Sequence, residues 1–199
     1  MARADEVQEI RPDLHFWQAY DASVKVDLSC CSRRTERGTV FIDPIPLAKP
    51  ALSELIADGP PLAIILTSGN HARAAADYRI RFSIPIYAHA AAVPELGISV
   101  DHVVADEETV LESFDVIALP GATPGEIALH HAGVLHVGDA LIHLPSHGFT
   151  LLPDKYCSDA IELRRSLEKL LRFPFEVLTF AHGLPIVARA RQRLAQLLA

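Results

Sequence analysis

Alternating apolar and polar positions in the first part of the chain predict strands. Residues 14–20 and 24–28 alternate in this way, which is typical of half-buried strands. Residues 39–43 form a third predicted strand, and prolines follow it. The stretch 30–38 between the second and third strands is polar, so we expect a hairpin there.

A continuous apolar run, residues 64–66, ends abruptly in the small and polar residues Thr67-Ser68-Gly69-Asn70. Prolines precede this run and three alanines follow it. The pattern therefore predicts a loop, a buried strand, a tight turn and a helix in succession. A strand that ends in this way delivers side chains into a cleft at the edge of a sheet, and we expect the rest of the chain to be arranged around that cleft.

The second half of the chain mixes strand and helix patterns. Residues 114–119, 126–131, 134–137 and 177–180 are predicted strands. Two amphipathic helices have the apolar stripes Leu163, Leu167, Leu170, Leu171 and Val187, Ala190, Leu194, Leu197, Leu198. Strands in two groups, each followed by helices, predict an α+β fold of two packed sheets with helices outside, in a single domain over residues 1–199.

Composition and charge narrow the function classes. The chain has 199 residues, of which 50% are hydrophobic, and this is enough to bury a core without disulfides or a metal. Its three cysteines and the absence of a signal-peptide pattern favour a reducing cytoplasm. No run approaches the roughly 20 apolar residues that a membrane span needs. The net charge of -7 argues against a nucleic-acid partner, while a homo-oligomer is compatible with the pattern.

Four stretches, in order along the chain, resemble the motifs of the metallo-β-lactamase superfamily. They are Leu66-Thr67 with His71, the segment Pro120-Gly121-Ala122-Thr123-Pro124-Gly125, the strand that leads to Asp139, and Phe180-Ala181-His182-Gly183. Four ordered blocks are more specific than any one of them. The resemblance implies a four-layer αββα sandwich and, in ordinary members, a hydrolytic site with two zinc ions.

The resemblance also assigns ligand positions, and most of them hold residues that bind zinc poorly or not at all. The first-metal histidines fall on Ser68, Asn70 and Ala122, and the second-metal aspartate and histidine fall on Ala72 and Arg73. Only the bridging carboxylate, Asp139, and the last histidine, His182, match the family. We therefore expect the dinuclear site to be absent and no cofactor to be bound.

Three arrangements of the remaining residues stay open. A single zinc or other divalent metal could use Asp139 and His182 with a displaced His71 or Asn70. The favoured alternative is a hydrogen-bonded network of Asn70, Ser68 and His182 on the cleft floor, with His71 pointing elsewhere because it occupies a non-ligand position. Arg73 is predicted to form an ion pair with Asp139, since a buried carboxylate without a metal needs another positive charge.

Other polar residues are candidates for ligand binding at the same cleft. Lys155 and Tyr156 lie where superfamily members often contact substrate, so Lys155 and Arg73 would hold a small anionic ligand. Ser68 lacks the motif of a nucleophile elbow. His143 and His147 are expected to be surface histidines, because Pro145 lies between them.

Two function classes follow from these assignments. The first is a non-catalytic member that has kept the sandwich, a pseudoenzyme or a module that binds a small ligand. The second is a hydrolase of a small anionic ester, thioester or lactone that uses one atypical metal or none, with Asp139 and His182 as its catalytic residues.

Overall fold

The computed structural model describes residues 2–57 and 59–199. Its strands are β1 Gln8–Arg11, β2 Leu14–Asp21, β3 Val26–Thr35, β4 Gly38–Ile42, β5 Pro61–Leu66, β6 Ile86–His89, β7 His102–Val104, β8 Thr109–Val110, β9 Phe114–Ala118, β10 Ile127–His131, β11 Val134–Val137, β12 Leu141–Leu144, β13 Gly148–Leu151 and β14 Val177–Phe180. Its α-helices are α1 Lys49–Leu55, α2 Ala75–Phe82, α3 Val93–Leu96, α4 Ala160–Lys169 and α5 Ala190–Leu198.

Two sheets form the centre of the molecule. The first has seven strands in the order β1 to β7, antiparallel up to β4 and parallel from β4 to β7. The second has five strands in the order β14-β11-β10-β9-β8. Within it β11 and β14 run parallel, whereas β9, β10 and β11 pair antiparallel. Because parallel strands end at the same edge of a sheet, the residues after β4 and β5 lie side by side, as do the residues after β11 and β14.

Three apolar clusters fill the spaces between four layers. The cluster between the two sheets includes Ile42 and Ile65 from the first sheet and Leu129 and Val134 from the second. A second cluster packs α1, α2 and α3 against the outer face of the first sheet, and a third packs α4 and α5 against the outer face of the second. The α+β sandwich with helices outside, predicted from the sequence, is confirmed.

Two local predictions differ from the structure. The stretch 30–38 is mostly strand, because β3 runs to Thr35 and only residues 36 and 37 turn. Its Cys30, Cys31 and Ser32 are buried rather than exposed on a hairpin. Val187, predicted on the buried face of the last helix, lies before α5 and is exposed. Within the described part of the chain, no helix has the length and apolar character needed to cross a membrane.

Candidate metal centre

Four polar side chains meet where strands from both sheets end. Asp43 follows β4, and His71 lies in the turn after β5. Asp139 follows β11 and His182 follows β14 in the second sheet. The parallel pairing of β4 with β5 and of β11 with β14 brings these chain ends to one edge of the sandwich.

His71, Asp139 and His182 form a compact group of potential metal ligands. One ligand atom from each lies within 4.8 Å of the other two. The Nε2 atoms of His71 and His182 are each 3.2 Å from Asp139 Oδ1. Two imidazoles and one carboxylate are a donor set that zinc binds in catalytic sites, with the remaining coordination position open to water or substrate.

Each histidine of this triad is oriented through its other ring nitrogen. His71 Nδ1 is 2.9 Å from Asp43 Oδ2, and His182 Nδ1 is 3.1 Å from the Asp27 carbonyl oxygen. Such partners leave Nε2 as the ligand atom and hold the ring plane in place. The Ser29 hydroxyl donates to the Gly183 carbonyl at 3.0 Å and accepts the Gly183 N–H at 3.1 Å, which holds the turn that carries His182.

Burial and neighbouring charges shift the pKa values of His71 and Asp139 in opposite directions. Burial disfavours an imidazolium at His71, but the Asp43 and Asp139 carboxylates outweigh burial and raise the pKa of His71 to about 9. Burial also raises the carboxyl pKa of Asp139, yet the charges and hydrogen bonds of His71 and His182 hold that pKa well below its ordinary value. The metal-free centre is therefore an imidazolium between two carboxylates.

Asp43 is the buried anchor of the centre. It is fully buried and has a φ of 50°, a left-handed conformation that aspartate tolerates better than most residues. Its carboxylate accepts the Thr67 N–H at 2.8 Å as well as the Thr67 hydroxyl. His136 Nε2 lies 3.6 Å from the same carboxylate on the interior side. Burial opposes ionisation, but His71 and His136 lower the pKa of Asp43 below its ordinary range.

The prediction that His71 points away from the site is wrong. Residues 67–74 form turns and bends rather than a strand, so the alternation of side chains along a strand does not apply to them. The predicted network of Asn70, Ser68 and His182 is not formed either. Ser68 Oγ lies 2.8 Å from Thr123 Oγ1, and Ser68 Oγ is 3.4 Å from the backbone N–H of Asn70.

The predicted ion pair between Arg73 and Asp139 is also wrong. The Arg73 guanidinium donates to three backbone carbonyls, those of Ser29 at 2.7 Å, Asp43 at 3.1 Å and Ala181 at 3.2 Å. Asp139 Oδ1 instead lies 3.2 Å from the Nε2 atoms of both histidines of the triad.

A cleft of about 1,090 Å³ opens over the triad. Its polar and charged lining residues include Lys25, Asn70, Arg73, Thr123, His147, Lys155 and Tyr156. Its apolar lining residues include Val24, Val26, Leu28, Ile142, Leu144 and Leu152. The cleft therefore combines an apolar wall with lysines near the mouth.

Lys155 and Tyr156 lie at this cleft, as the sequence predicted. Lys155 Nζ is 4.7 Å from the centre of the Tyr156 ring, and both residues are exposed. His143 and His147, predicted as surface histidines, are on the strand pair β12 and β13 and the turn that joins it, and His147 lines the cleft.

Sequence reasoning missed Asp43, Thr123 and Glu126. Glu126 is 2% exposed, and its Oε2 lies 2.9 Å from Thr123 Oγ1, while its Oε1 accepts the Ala140 N–H at 2.9 Å. One signal for Asp43 was available in the sequence, since an acidic residue directly after the apolar run 40–42 ends a buried strand. Glu126 gave no comparable signal, because its burial depends on the turn 138–140 from a distant part of the chain.

Comparisons with known proteins give the family and the fold. A family model described as the metallo-beta-lactamase superfamily matches residues 8–199. No curated protein sequence matches the chain significantly. Among solved structures, the DIM-1 metallo-beta-lactamase is 14% identical with a TM-score of 0.77 and coverage of 98% of both chains.

Two further solved structures are similar to the same extent. A metallo-beta-lactamase from Erythrobacter litoralis is 13% identical with a TM-score of 0.77, covering 96% of this chain and 95% of the other. The metallo-beta-lactamase FIM-1 from Pseudomonas aeruginosa, solved in its mono-zinc form, is 17% identical with a TM-score of 0.75, covering 97% of this chain and 95% of the other. At these sequence identities, the structural similarity shows the fold alone.

The prediction that no cofactor is bound is wrong. It rested on the residues lost from the family's ligand positions, and it favoured a hydrogen-bonded network over the alternative in which a displaced His71 joins a metal site. The structure places His71 beside Asp139 and His182 as a third potential ligand. The similar structures are metallo-beta-lactamases, one of them in a mono-zinc form.

Proposed function

Because the chain belongs to the metallo-β-lactamase superfamily, we propose that it is a hydrolase with a single metal ion held by His71, Asp139 and His182. Its substrate would be a small ester, thioester or lactone that also has an anionic group. The observation that supports this proposal is the triad itself, whose three ligand atoms lie within 4.8 Å of one another beneath an open cleft.

The residues present fit a zinc ion by the chemistry of the donor set. Zinc takes imidazole nitrogen and carboxylate oxygen, and three protein ligands with one open position are typical of catalytic zinc. When bound, zinc supplies a water of lowered pKa as the nucleophile and polarises the substrate carbonyl. His71 must lose its proton before Nε2 can bind a metal, so we expect metal uptake to release a proton and to weaken at acidic pH.

The chain's own residues have distinct parts in this proposal. Asp43 and the Asp27 carbonyl orient the two histidines. Lys155 and Lys25 at the cleft supply positive charge for the anionic group of the substrate, while Arg73 is already bonded to backbone carbonyls. Val26, Leu28 and their apolar neighbours along the cleft would exclude water from the non-reacting part of the substrate.

Metal analysis and hydrolysis assays on the same protein test the proposal. Protein purified without a metal-affinity tag should take up about one zinc ion per chain. The changes His71→Ala, Asp139→Asn and His182→Ala should each abolish tight binding. His147→Ala is the matched control, because His147 lines the same cleft outside the triad, and it should bind zinc as the wild type does.

The assays use esters, thioesters and lactones with and without a carboxylate. Zinc-loaded wild type should hydrolyse at least one carboxylate-bearing compound, and the three triad variants should not. If zinc binds but no compound turns over, the hydrolase proposal fails and a ligand-binding member remains. Wild-type protein that takes up no zinc would overturn both the metal site and the hydrolase.

A further inference from the structure

Thr123 lies at the cleft wall between two buried polar groups. Its Oγ1 is 2.8 Å from Ser68 Oγ and 2.9 Å from Glu126 Oε2. Ser68 Oγ accepts the Asn70 N–H and can donate its own proton to Thr123. Thr123 donates to a Glu126 carboxylate, but a protonated Glu126 would donate to Thr123 Oγ1 instead, and the single Thr123 proton would then be left for a group in the cleft. Thr123 and Asp139 line the same cleft.

Glu126 is a buried carboxyl group with hydrogen-bond partners but no basic side chain bonded to it. Its partners are the Thr123 hydroxyl and the Ala140 N–H. Gly138 makes room for it, since a Cβ at that position would lie 2.6 Å from Glu126 Oε1. Burial, followed by the negative charge of Asp139, raises the pKa of Glu126 to about 8, and the positive charge of His71 opposes this shift only in part.

A site with one metal ion still requires a group that gives a proton to the leaving group. Breaking a C–O bond places an electron pair on the leaving oxygen, and a poor leaving group requires a proton at that moment. Among the described residues, the triad is the one group that could hold a metal ion, and Arg73 is turned toward carbonyl oxygens. The leaving group therefore needs a proton donor from elsewhere in the cleft.

We propose that Glu126 and Thr123 form a proton relay that protonates the leaving group of the substrate. The inference rests on the hydrolase function proposed above. Thr123 is the group that touches the leaving atom, and Glu126 acts through it as a positioning residue and proton source.

Each proton in this step has a donor and an acceptor. As the C–O bond of the tetrahedral intermediate breaks, its electron pair stays on the leaving oxygen. The Thr123 hydroxyl proton moves to that oxygen, and the Glu126 carboxylic proton moves to Thr123 Oγ1. Glu126 remains as a carboxylate and recovers a proton from solvent, which received the one lost by the attacking water.

The protonation of Glu126 can be measured without any substrate. Infrared difference spectra of zinc-loaded protein across the pH range should show the carbonyl stretch of a protonated carboxylic acid, which disappears as the pH rises. The band should vanish in Glu126→Gln and shift in frequency in Thr123→Val, which keeps the shape but lacks the hydroxyl. Glu95→Gln is the control. It changes an exposed carboxylate on α3, next to Gly69, and should leave the band unchanged. A spectrum unaffected by Glu126→Gln would overturn the relay.

Leaving-group dependence is the second test, made on two carboxylate-bearing esters of one acid. Thr123→Val should lower kcat about 100-fold for an alkyl ester, the lower end of general-acid effects, but less than about threefold for a nitrophenyl ester, whose leaving group needs no proton. Thr123→Ser should restore the alkyl-ester rate. The decline of kcat that follows loss of the Glu126 proton at alkaline pH should disappear in Glu126→Gln.

The outcomes separate the two proposals. If wild type hydrolyses both esters and Thr123→Val slows them equally or not at all, while zinc binding is unchanged, the relay is wrong and the hydrolase stands. If zinc-loaded wild type hydrolyses neither ester nor any other compound of the panel, the hydrolase fails and the relay fails with it.

Discussion

Arg73 shows how a charged residue beside a functional centre can have a structural task. Its guanidinium joins the carbonyl oxygens of Ser29 on β3, Asp43 after β4 and Ala181 after β14. These carbonyls belong to both sheets, so one planar side chain fixes the edge where the triad is assembled. An ammonium group cannot reproduce three donors in this fixed geometry.

Arg73→Ala should therefore destabilise the fold by roughly 2–4 kcal/mol, because three carbonyl oxygens lose a charged donor. Arg73→Lys should recover only part of the loss. Urea unfolding of metal-free protein measures both changes. Arg79→Ala is the comparison, since it removes an ion pair with Asp101 that is partly exposed and should cost at most about 1 kcal/mol. Equal effects of the two alanine changes would contradict this account of Arg73.

Single residues also mark the limit of what the sequence could predict about the site. Asp139 and His182 were identified by their motifs, because each directly follows a strand in a short, regular context. His71 was predicted to point away from the site, which is wrong. Its orientation depends on the turn after β5 and on Asp43, which is 28 positions earlier in the sequence. The motif comparison left a displaced His71 open as one alternative, but the sequence alone could not decide which way its side chain points.

Among the structural elements, the turn between β11 and β12 packs closely against its neighbours. It carries Asp139 and packs Gly138 against Thr67 and Glu126. A Cβ at Gly138 would lie 2.5 Å from Thr67 Oγ1 and 2.6 Å from Glu126 Oε1, closer than real Cβ atoms approach. With alanine at this position, Thr67, Glu126 or the turn itself would have to shift, and a shifted turn would displace Asp139.

We expect Gly138→Ala to displace this turn and weaken zinc binding at least about tenfold, as loss of supporting interactions does at other metal sites. Zinc titration by calorimetry measures the change. Gly97→Ala is the control, because its Cβ would meet open space and only its φ of 63° is unfavourable. That substitution should cost about 1 kcal/mol of stability and leave zinc affinity unchanged. Wild-type affinity in Gly138→Ala would show that the turn adapts.

Elements with strong local patterns were predictable, and elements that depend on distant pairing were not. The apolar and polar pattern of residues 14–20 is a local signal, and the structure has a strand there, β2. The strand pair β12 and β13 was missed, since its residues 141–151 contain a proline and polar positions and form strands by pairing with each other. The length of β3 was underestimated because its polar Ser32 and Arg33 are buried between neighbouring strands.

At the scale of the whole molecule, titratable side chains with alternating charges run from the cleft into the space between the sheets. Asp139 contacts His71, His71 contacts Asp43, and Asp43 lies near His136. His136 in turn lies 3.3 Å from Cys31 Sγ and 2.6 Å from Thr179 Oγ1. Since all of these groups are buried, the protonation of each depends on the others, and the stability of the fold should depend on pH in an unusual direction.

Metal-free protein should be most stable near about pH 5 and should lose stability as the pH rises to 9. In the folded protein the pKa values of His71 and His136 are about 9, against 6.5 ordinarily. Their raised values add stability that is fully present below pH 6.5 and lost toward pH 9. Glu126 acts in the same direction between pH 4.5 and about 8, since its pKa is also raised.

The carboxylates Asp43 and Asp139 act in the opposite direction, because their pKa values are lowered. The stability they add is present above their ordinary pKa of 3.8 and is lost only in stronger acid, which leaves the maximum near pH 5.

From pH 6.5 to 9, His71 alone should account for roughly 2–4 kcal/mol of the decline in the free energy of unfolding. Urea unfolding of chelator-treated protein at several pH values measures the curve. Glu126→Gln should make the curve less steep below pH 8, while His147→Gln, a change at an exposed histidine, should leave the curve unaltered. A free energy of unfolding that rises between pH 6.5 and 9 would show that the buried histidines are neutral in the folded protein.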